Sequence, residues 1–132
     1  MPTISLPIRP RGVLLKILVR AEPTAAAGPV AAYLDTGASD SVFDQDFLAT
    51  LGLKPIQRAA LHVLGRDGVS FHDAYELAVA IHAPGAAFQW RLLTVLGGPV
   101  FQTGAVAALG RDFLAGVAFS YDGPRRRVQL HW

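Results

Sequence analysis

Apolar residues recur at every second position through most of this chain, and this period constrains the fold more than any other feature of the sequence. Residues 13–19 place apolar side chains at the odd positions, and residues 69–81 extend the same pattern over a longer stretch. Successive side chains of a strand point to opposite faces of a sheet, so the period predicts strands with one buried face. Residues 88–96 are largely apolar on both faces, which is typical of a central strand. Residues 117–132 alternate on both sides of Asp122-Gly123, which predicts a closing hairpin.

Only two short helices are predicted. Asp44 can cap residues 45–51, and Gly52 stands where a helix commonly ends in a left-handed residue. The second helix covers residues 111–115 and stops at Gly116. The predicted fold class is therefore mainly β.

Composition excludes several classes of protein. The chain has 132 residues, of which 52% are apolar and 17% charged, and it contains no Cys. That length predicts a single domain over residues 1–132, and the apolar content excludes a disordered chain. The absence of Cys excludes a zinc ribbon and a disulfide scaffold. No apolar run approaches the ~20 residues of a membrane span, and no signal-peptide pattern begins the chain, so we expect a cytoplasmic protein without a membrane partner.

Neither metal nor nucleic acid is an expected ligand. The four histidines, at positions 62, 72, 82 and 131, lack the spacing and the neighbouring carboxylates of a metal-ligand set. The formal net charge is only +2, and the one basic cluster, Arg125-Arg126-Arg127, is too short for a nucleic-acid surface. No metal and no cofactor are therefore predicted.

The sharpest chemical signal is Asp35-Thr36-Gly37, which begins at the last residue of the short apolar strand predicted over residues 29–35. A carboxylate at such a strand end is costly to bury unless it is hydrogen-bonded or shares a proton. The Thr36 hydroxyl can brace the turn, and Gly37 allows close backbone approach with its amide free to donate to the carboxylate. An Asp that caps an ordinary turn is the simpler alternative for this tripeptide.

The order of the elements makes the motif more specific. A strand leads into Asp-Thr-Gly-Ala-Ser at residues 35–39, and a short apolar step, a helix and a Gly-containing hairpin follow. Near the end, the corner Leu-Gly-Arg-Asp at residues 109–112 leads into the second helix, as a weak echo of the first half. This arrangement resembles the retropepsin-like aspartic proteases over nearly the whole chain. The resemblance implies a small closed β-barrel with a flap hairpin and one or two short helices.

The resemblance also implies roles for individual residues. Asp35 matches the catalytic aspartate of the family. Gly110 matches the glycine of the second corner, which packs beneath the active-site loop. The residues implied to support that loop are Thr36, Gly37, Ala38, Gly110 and Arg111.

One position departs from the retroviral pattern. In retroviral members the arginine that begins the second helix pairs with an Asp two residues after the motif's glycine. That position here is Ser39, with Asp40 next to it. Arg111 therefore has Asp40, Asp112 or a backbone carbonyl as alternative partners.

The chemistry of the family requires a second chain. Aspartic proteases use two adjacent carboxylates that share one proton, because two like charges at that distance cannot both ionise cheaply. This sequence has a single Asp-Thr-Gly, and its second corner has Leu109-Gly110 without an aspartate. We therefore expect a homodimer in which each copy supplies one Asp35. The resemblance also implies that the termini contribute strands to the dimer.

Substrate is expected to bind as an extended peptide beneath a flap. The hairpin over residues 61–71 lies between the Asp35 loop and the second half of the chain, which is the position of a flap. The predicted flap residues are Leu64, Gly65, Arg66, Asp67 and Gly68, and the candidate wall residues are Leu34, Val42, Leu64 and Phe71.

The sequence therefore predicts an aspartic endopeptidase that cleaves peptide or protein substrates as a homodimer. The alternative is a catalytically inactive dimer of the same fold that binds peptides or serves as an assembly module. An unrelated small β-barrel binding module, monomeric at micromolar concentration, is the more distant alternative.

Overall fold

The computed structural model describes residues 2–21, 26–61, 69–100 and 104–132. The described residues are mainly β, with 53% of them in strands and 9% in helices, as predicted. The strands of the described residues are β1 Thr3–Pro7, β2 Leu14–Arg20, β3 Ala27–Leu34, β4 Val42–Asp44, β5 Gln57–Leu61, β6 Ser70–Ile81, β7 Arg91–Gly98, β8 Ala107–Leu109, β9 Ala118–Asp122 and β10 Arg127–His131. The helices are α1 Gln45–Thr50 and α2 Arg111–Leu114.

Six strands close into a barrel. Hydrogen-bonded neighbours follow the order β2-β3-β8-β4-β7-β6, and β6 pairs back with β2 to complete the ring. β5 lies outside the ring and pairs with the first residues of β6, Ser70–Ala74. The interior is filled by the apolar face that the period of two predicts, including Leu15, Ile17, Leu77, Val79 and Val95, all fully buried. Burial of this face drives the closure of the barrel.

Parallel pairing at one end of the barrel brings the two corners of the chain together. β3 and β8 run parallel, with Leu34 opposite Leu109. β4 pairs antiparallel with β8 and parallel with β7, so it lies between them. Because β3 and β8 end at the same edge, the residues that follow them, Asp35 and Gly110, are neighbours there.

Both predicted helices are present with closely similar bounds. The Asp44 carboxylate accepts a hydrogen bond from the Phe47 amide at 3.1 Å, which caps α1 as predicted. Leu48 is the buried residue of this helix, and Gly52 follows it with φ +69°. α2 buries Phe113 in the core. These two anchors hold the short helices against the barrel.

A separate three-stranded sheet is formed by the two ends of the chain, in the order β1-β10-β9. The predicted closing hairpin is β9 and β10, with Ser120 opposite Gln129. β1 pairs antiparallel with β10, with Ser5 opposite Gln129 on the other side. The terminal strands therefore pair with each other within one chain.

One predicted strand begins later than its apolar pattern. The pattern starts at residue 88, whereas β7 begins at Arg91, although it is central as predicted, between β4 and β6. The side chains before it form an aromatic cluster in which Phe88 stacks on His82 and meets the Trp90 ring edge-on. The apolar character of this segment serves that cluster and not a longer strand.

Candidate active site

Asp35 lies at the point where β3 ends, with its backbone fixed and its side chain exposed. Its amide donates to the Leu109 carbonyl at 2.8 Å, which continues the parallel pairing of β3 with β8 by one residue. Its own carbonyl accepts from the Ala38 amide at 3.2 Å, which closes a tight turn. The Asp35 carboxylate is therefore presented to solvent from a rigid base.

The turn also supplies a donor to the carboxylate. The Gly37 amide donates to Asp35 Oδ1 at 3.1 Å. A Cβ added at Gly37 would lie 3.4 Å from the same oxygen, an ordinary contact distance. The contribution of Gly37 to the carboxylate is therefore the hydrogen bond from its amide, as the sequence predicts, and not the space left by its missing side chain.

Gly110 packs directly beneath the Asp35 loop. A Cβ added there would meet the Ala38 carbonyl oxygen at 2.8 Å and the Asp40 carbonyl oxygen at 3.0 Å. Both contacts are to backbone, which cannot move aside as a side-chain end can. Any side chain at this corner would therefore push the Asp35 loop away from α2.

The start of α2 is bonded to the same loop. The Arg111 amide donates to the Ala38 carbonyl at 2.8 Å, and the Asp112 amide donates to the Ser39 carbonyl at 3.3 Å. The Arg111 guanidinium reaches further, and its Nη1 donates to the Thr36 carbonyl at 2.9 Å. Of the three alternative partners, the backbone carbonyl is the one observed.

A buried polar cluster joins the two corners, and the sequence did not predict it. Ser41 is 0% exposed, and its hydroxyl donates to Asp112 Oδ1 at 2.7 Å while accepting from the Gly110 amide at 3.0 Å. The Ser41 amide donates to Asp112 Oδ2 at 3.0 Å. Oδ1 also accepts from the Phe113 amide at 2.8 Å. The sequence feature that could have predicted this cluster is Asp112 in the first turn of α2, where a carboxylate can accept hydrogen bonds from free backbone amides.

A cavity of about 530 Å³ opens beside the Asp35 loop. Leu34 and Thr36 contribute one wall, and the aromatic rings of Phe119 and Tyr121 contribute another. Of the predicted wall residues, Leu34 lines this cavity. Val42 lies in the barrel strand β4, and Phe71 lies exposed at the start of β6, so neither borders it.

The predicted flap is described only in its two arms. β5 and β6, which flank the predicted flap, pair antiparallel, with Leu61 opposite Ser70. The predicted flap residues, Leu64, Gly65, Arg66, Asp67 and Gly68, lie outside the described residues.

Of the two residues that directly follow β3 and β8, only Asp35 carries a carboxylate. β3 leads into Asp35, whereas β8 leads into Gly110, so the second corner has no acid at the equivalent place. Within the described ranges, no group of three or more His, Asp or Glu side chains could hold a metal ion. In the same part of the chain, no helix is long and apolar enough to span a bilayer.

The closed barrel with two paired corners, one followed by Asp-Thr-Gly and the other by a short helix, is the retropepsin-like fold. Among solved structures, the chain is similar to the crystal structure of a retropepsin-like aspartic protease from Rickettsia conorii. The two share a TM-score of 0.63 at 20% sequence identity, over 98% of this chain and 89% of that chain. No protein-family profile matches the sequence, and no curated protein matches it either. The fold implied by the sequence resemblance is therefore confirmed.

Proposed function

We propose that this protein is an aspartic endopeptidase that acts as a homodimer, with one Asp35 carboxylate from each copy. The observation that carries the proposal is the exposed Asp35 carboxylate on a fixed backbone at the paired corners of a retropepsin-like fold. A carboxylate that merely caps a turn needs neither the bond from the Asp35 amide to the second corner nor the close packing of Gly110 beneath the loop.

The second copy is required by the chemistry. A water molecule attacks the carbonyl carbon of the scissile peptide bond while one carboxylate takes its proton. The other carboxylic acid donates its proton to the carbonyl oxygen. The first carboxyl group then passes the proton that it took from water to the leaving nitrogen as the C–N bond breaks. Two acids that share one proton perform both roles, and one chain supplies only one of them at this place.

The surrounding residues have positioning roles in this proposal. Arg111 holds the Thr36 carbonyl, and Gly110 allows the loop to rest on the second corner. Gly37 and Ala38 form the turn that keeps the Asp35 carboxylate pointing outward. Preorganisation of this kind lowers the cost of arranging the reacting groups in the transition state. The segment that joins β5 to β6 is proposed to act as the flap that covers the bound peptide.

The test compares three proteins on a fluorescently labelled unfolded protein and on a mixture of peptides. Asp35→Asn keeps the side-chain shape and removes the acid, so we expect cleavage to fall ~100-fold or more. Asp46→Asn, in the exposed first turn of α1, makes the same chemical change outside the loop and is expected to retain wild-type cleavage. An inhibitor that mimics the tetrahedral transition state of peptide hydrolysis is expected to block the wild type and the Asp46→Asn control.

Equal cleavage by the wild type and Asp35→Asn would rule out the proposal. If none of the three proteins, including the wild type, cleaves the substrates while the wild type binds peptides as a dimer, the inactive peptide-binding module is the correct alternative. Binding is measured by the fluorescence anisotropy of labelled peptides, which does not depend on turnover.

A further inference from the structure

Five exposed arginines meet at one place on the surface, although they come from opposite ends of the chain. Pro7 pairs with Arg127, and the Ile8 amide donates to the Arg126 carbonyl at 2.9 Å. The loop that follows β1 therefore lies beside the turn between β9 and β10. We call the arginines of this loop and this turn the basic patch, which consists of Arg9, Arg11, Arg125, Arg126 and Arg127.

The basic patch accounts for the positive charge of the whole chain. Residues 7–12 and 122–127 contain five arginines and one acid, Asp122, so their formal charge is +4, whereas the complete chain has +2. The remaining residues therefore sum to −2. Arg125 lies 3.7 Å from Asp122, but both side chains are well exposed, and an exposed ion pair of this kind is weak. The charge of the patch is therefore available to a partner of opposite charge.

One arginine of the patch occupies a backbone conformation that usually belongs to glycine. Arg126 has φ +53°, and within the described part of the chain it is the one residue other than glycine with a positive φ. Its amide donates to the Gly123 carbonyl at 3.1 Å, which closes the hairpin loop. Glycine is common at the left-handed position of such loops, because any side chain costs energy there. This cost points to a role for the Arg126 side chain outside folding.

The basic patch borders the cavity beside the proposed active site. Arg9 lines this cavity together with Leu34 and Thr36, which precede and follow Asp35 in the chain. Ile8, whose amide is bonded to the hairpin turn, contributes to the apolar part of the lining. A peptide that lies against Leu34 and Ile8 therefore leaves the cavity at the basic patch.

We infer that the substrates of this protein are acidic peptide segments, in which apolar residues occupy the cavity and neighbouring Asp or Glu residues bind the basic patch. This inference rests on the proposed peptidase function and adds the class of substrate. A planar guanidinium group donates two parallel hydrogen bonds to one carboxylate, so each arginine is suited to an acidic side chain. The concentrated positive charge also increases the rate at which an acidic peptide reaches the site.

The position of the patch favours a peptide over other polyanions. An anionic lipid surface or a nucleic acid is also attracted by five arginines. Neither of them brings a peptide bond to Asp35, whereas an extended peptide can contact the cavity and the patch with successive residues. The cavity beside Asp35 and the patch at its border therefore fit one ligand, and that ligand is an acidic polypeptide.

The test variant carries Arg125→Gln and Arg126→Gly together. It removes two charges from the hairpin turn, and glycine suits the positive φ at position 126, so we expect the fold to be kept. The matched control carries Lys16→Gln and Lys54→Gln. It also removes two positive charges from exposed positions, one in β2 and one in the segment that follows α1, and neither belongs to the basic patch.

Two labelled peptides share an apolar segment taken from a peptide that the wild type cleaves or binds. Their flanks carry either Asp and Glu or the uncharged Asn and Gln. The ratio of kcat/KM for the acidic peptide to that for the neutral peptide is measured for each protein, because a common effect on folding cancels in this ratio. We expect a ratio of ~10 or more for the wild type and the lysine control, and a ratio ~5-fold lower for the arginine variant. Added salt is expected to lower the ratio of the wild type.

Binding of the same two peptides is followed by fluorescence anisotropy, which separates this inference from the proposed activity. Cleavage of both peptides at equal kcat/KM, or an equal loss of preference in the lysine control, would overturn the acidic substrate class while the endopeptidase stands. Preferential binding of the acidic peptide without cleavage would support the acidic ligand and overturn the peptidase. If the wild type does not discriminate between the peptides but binds phosphatidylserine vesicles, and the arginine variant does not bind them, the partner is a lipid surface and the inference is wrong.

Discussion

Replacement of Ser41 by Ala tests the buried cluster that joins the two corners. The substitution removes the hydroxyl that donates to Asp112 Oδ1 at 2.7 Å and accepts from the Gly110 amide at 3.0 Å. Asp112 keeps its bonds from the Ser41 and Phe113 amides, so the carboxylate remains partly satisfied. The Gly110 amide is buried and loses its acceptor. A buried donor left without a partner costs about 1–3 kcal/mol, and we expect unfolding free energy to fall by about 2 kcal/mol.

Unfolding in urea is monitored by tryptophan fluorescence, which is sensitive to unfolding because Trp132 is buried in the folded chain. Protein concentration is held fixed, because association stabilises a folded dimer by mass action. For a chain of this length, a loss of about 2 kcal/mol corresponds to a decrease in Tm of ~6–10 °C.

Ser39→Ala is the matched control. The Ser39 side chain is exposed, and its hydroxyl makes only a 3.3 Å contact with the neighbouring Asp40 carboxylate. We expect its unfolding free energy to lie within about 0.5 kcal/mol of the wild type. If Ser41→Ala is as stable as Ser39→Ala, the cluster does not stabilise the corners and this account of the loop is wrong.

Three further substitutions probe the same region by different mechanisms. Gly110→Ala places a methyl group 2.8 Å from the Ala38 carbonyl oxygen and is expected to lower the free energy of unfolding in urea by about 1–3 kcal/mol. Gly123→Ala is the control, because its nearest contact is a ring carbon at 3.4 Å. Equal stability of the two variants would contradict the packing argument. Asp44→Ala removes the α1 cap and is expected to lower unfolding free energy by ~1 kcal/mol, and an unchanged value would argue against that cap. Arg111→Ala is expected to lower kcat with KM unchanged, because its guanidinium holds a loop carbonyl and not the substrate; a rise in KM alone would indicate substrate binding.

The local patterns of the sequence predict the elements that one strand or helix determines by itself. The period of two over residues 69–81 corresponds to β6, and the turn at Asp122-Gly123 joins β9 and β10. The α1 cap at Asp44 is likewise a local signal, because the capping carboxylate and the amide it accepts from are three residues apart. Each of these features depends on interactions over a few residues, which composition and spacing express directly.

The features that escaped prediction depend on contacts between distant parts of the chain. Ser41 and Asp112 are 71 positions apart, and neither has a sequence neighbourhood that indicates the other. β1 has partly exposed side chains throughout and gains its strand conformation by pairing with β10 at the far end of the chain. The start of β7 at Arg91 is set by an aromatic cluster with His82. These contacts form only when the chain has folded, so a short segment of sequence does not predict them.

The two paired corners explain why half of the proposed catalytic site can be a stable structure. β3 and β8 run parallel and end together, so the barrel needs both corners to be tightly packed whether or not either one carries an acid. The first corner presents Asp35 to solvent, and the second uses Gly110 and the α2 amides to support it from below. An acid in place of Gly110 would meet the Ala38 and Asp40 backbone, so the supporting corner cannot become a second catalytic corner without rebuilding the loop. The remaining route to two adjacent acids is a symmetric partner, which the proposed homodimer supplies.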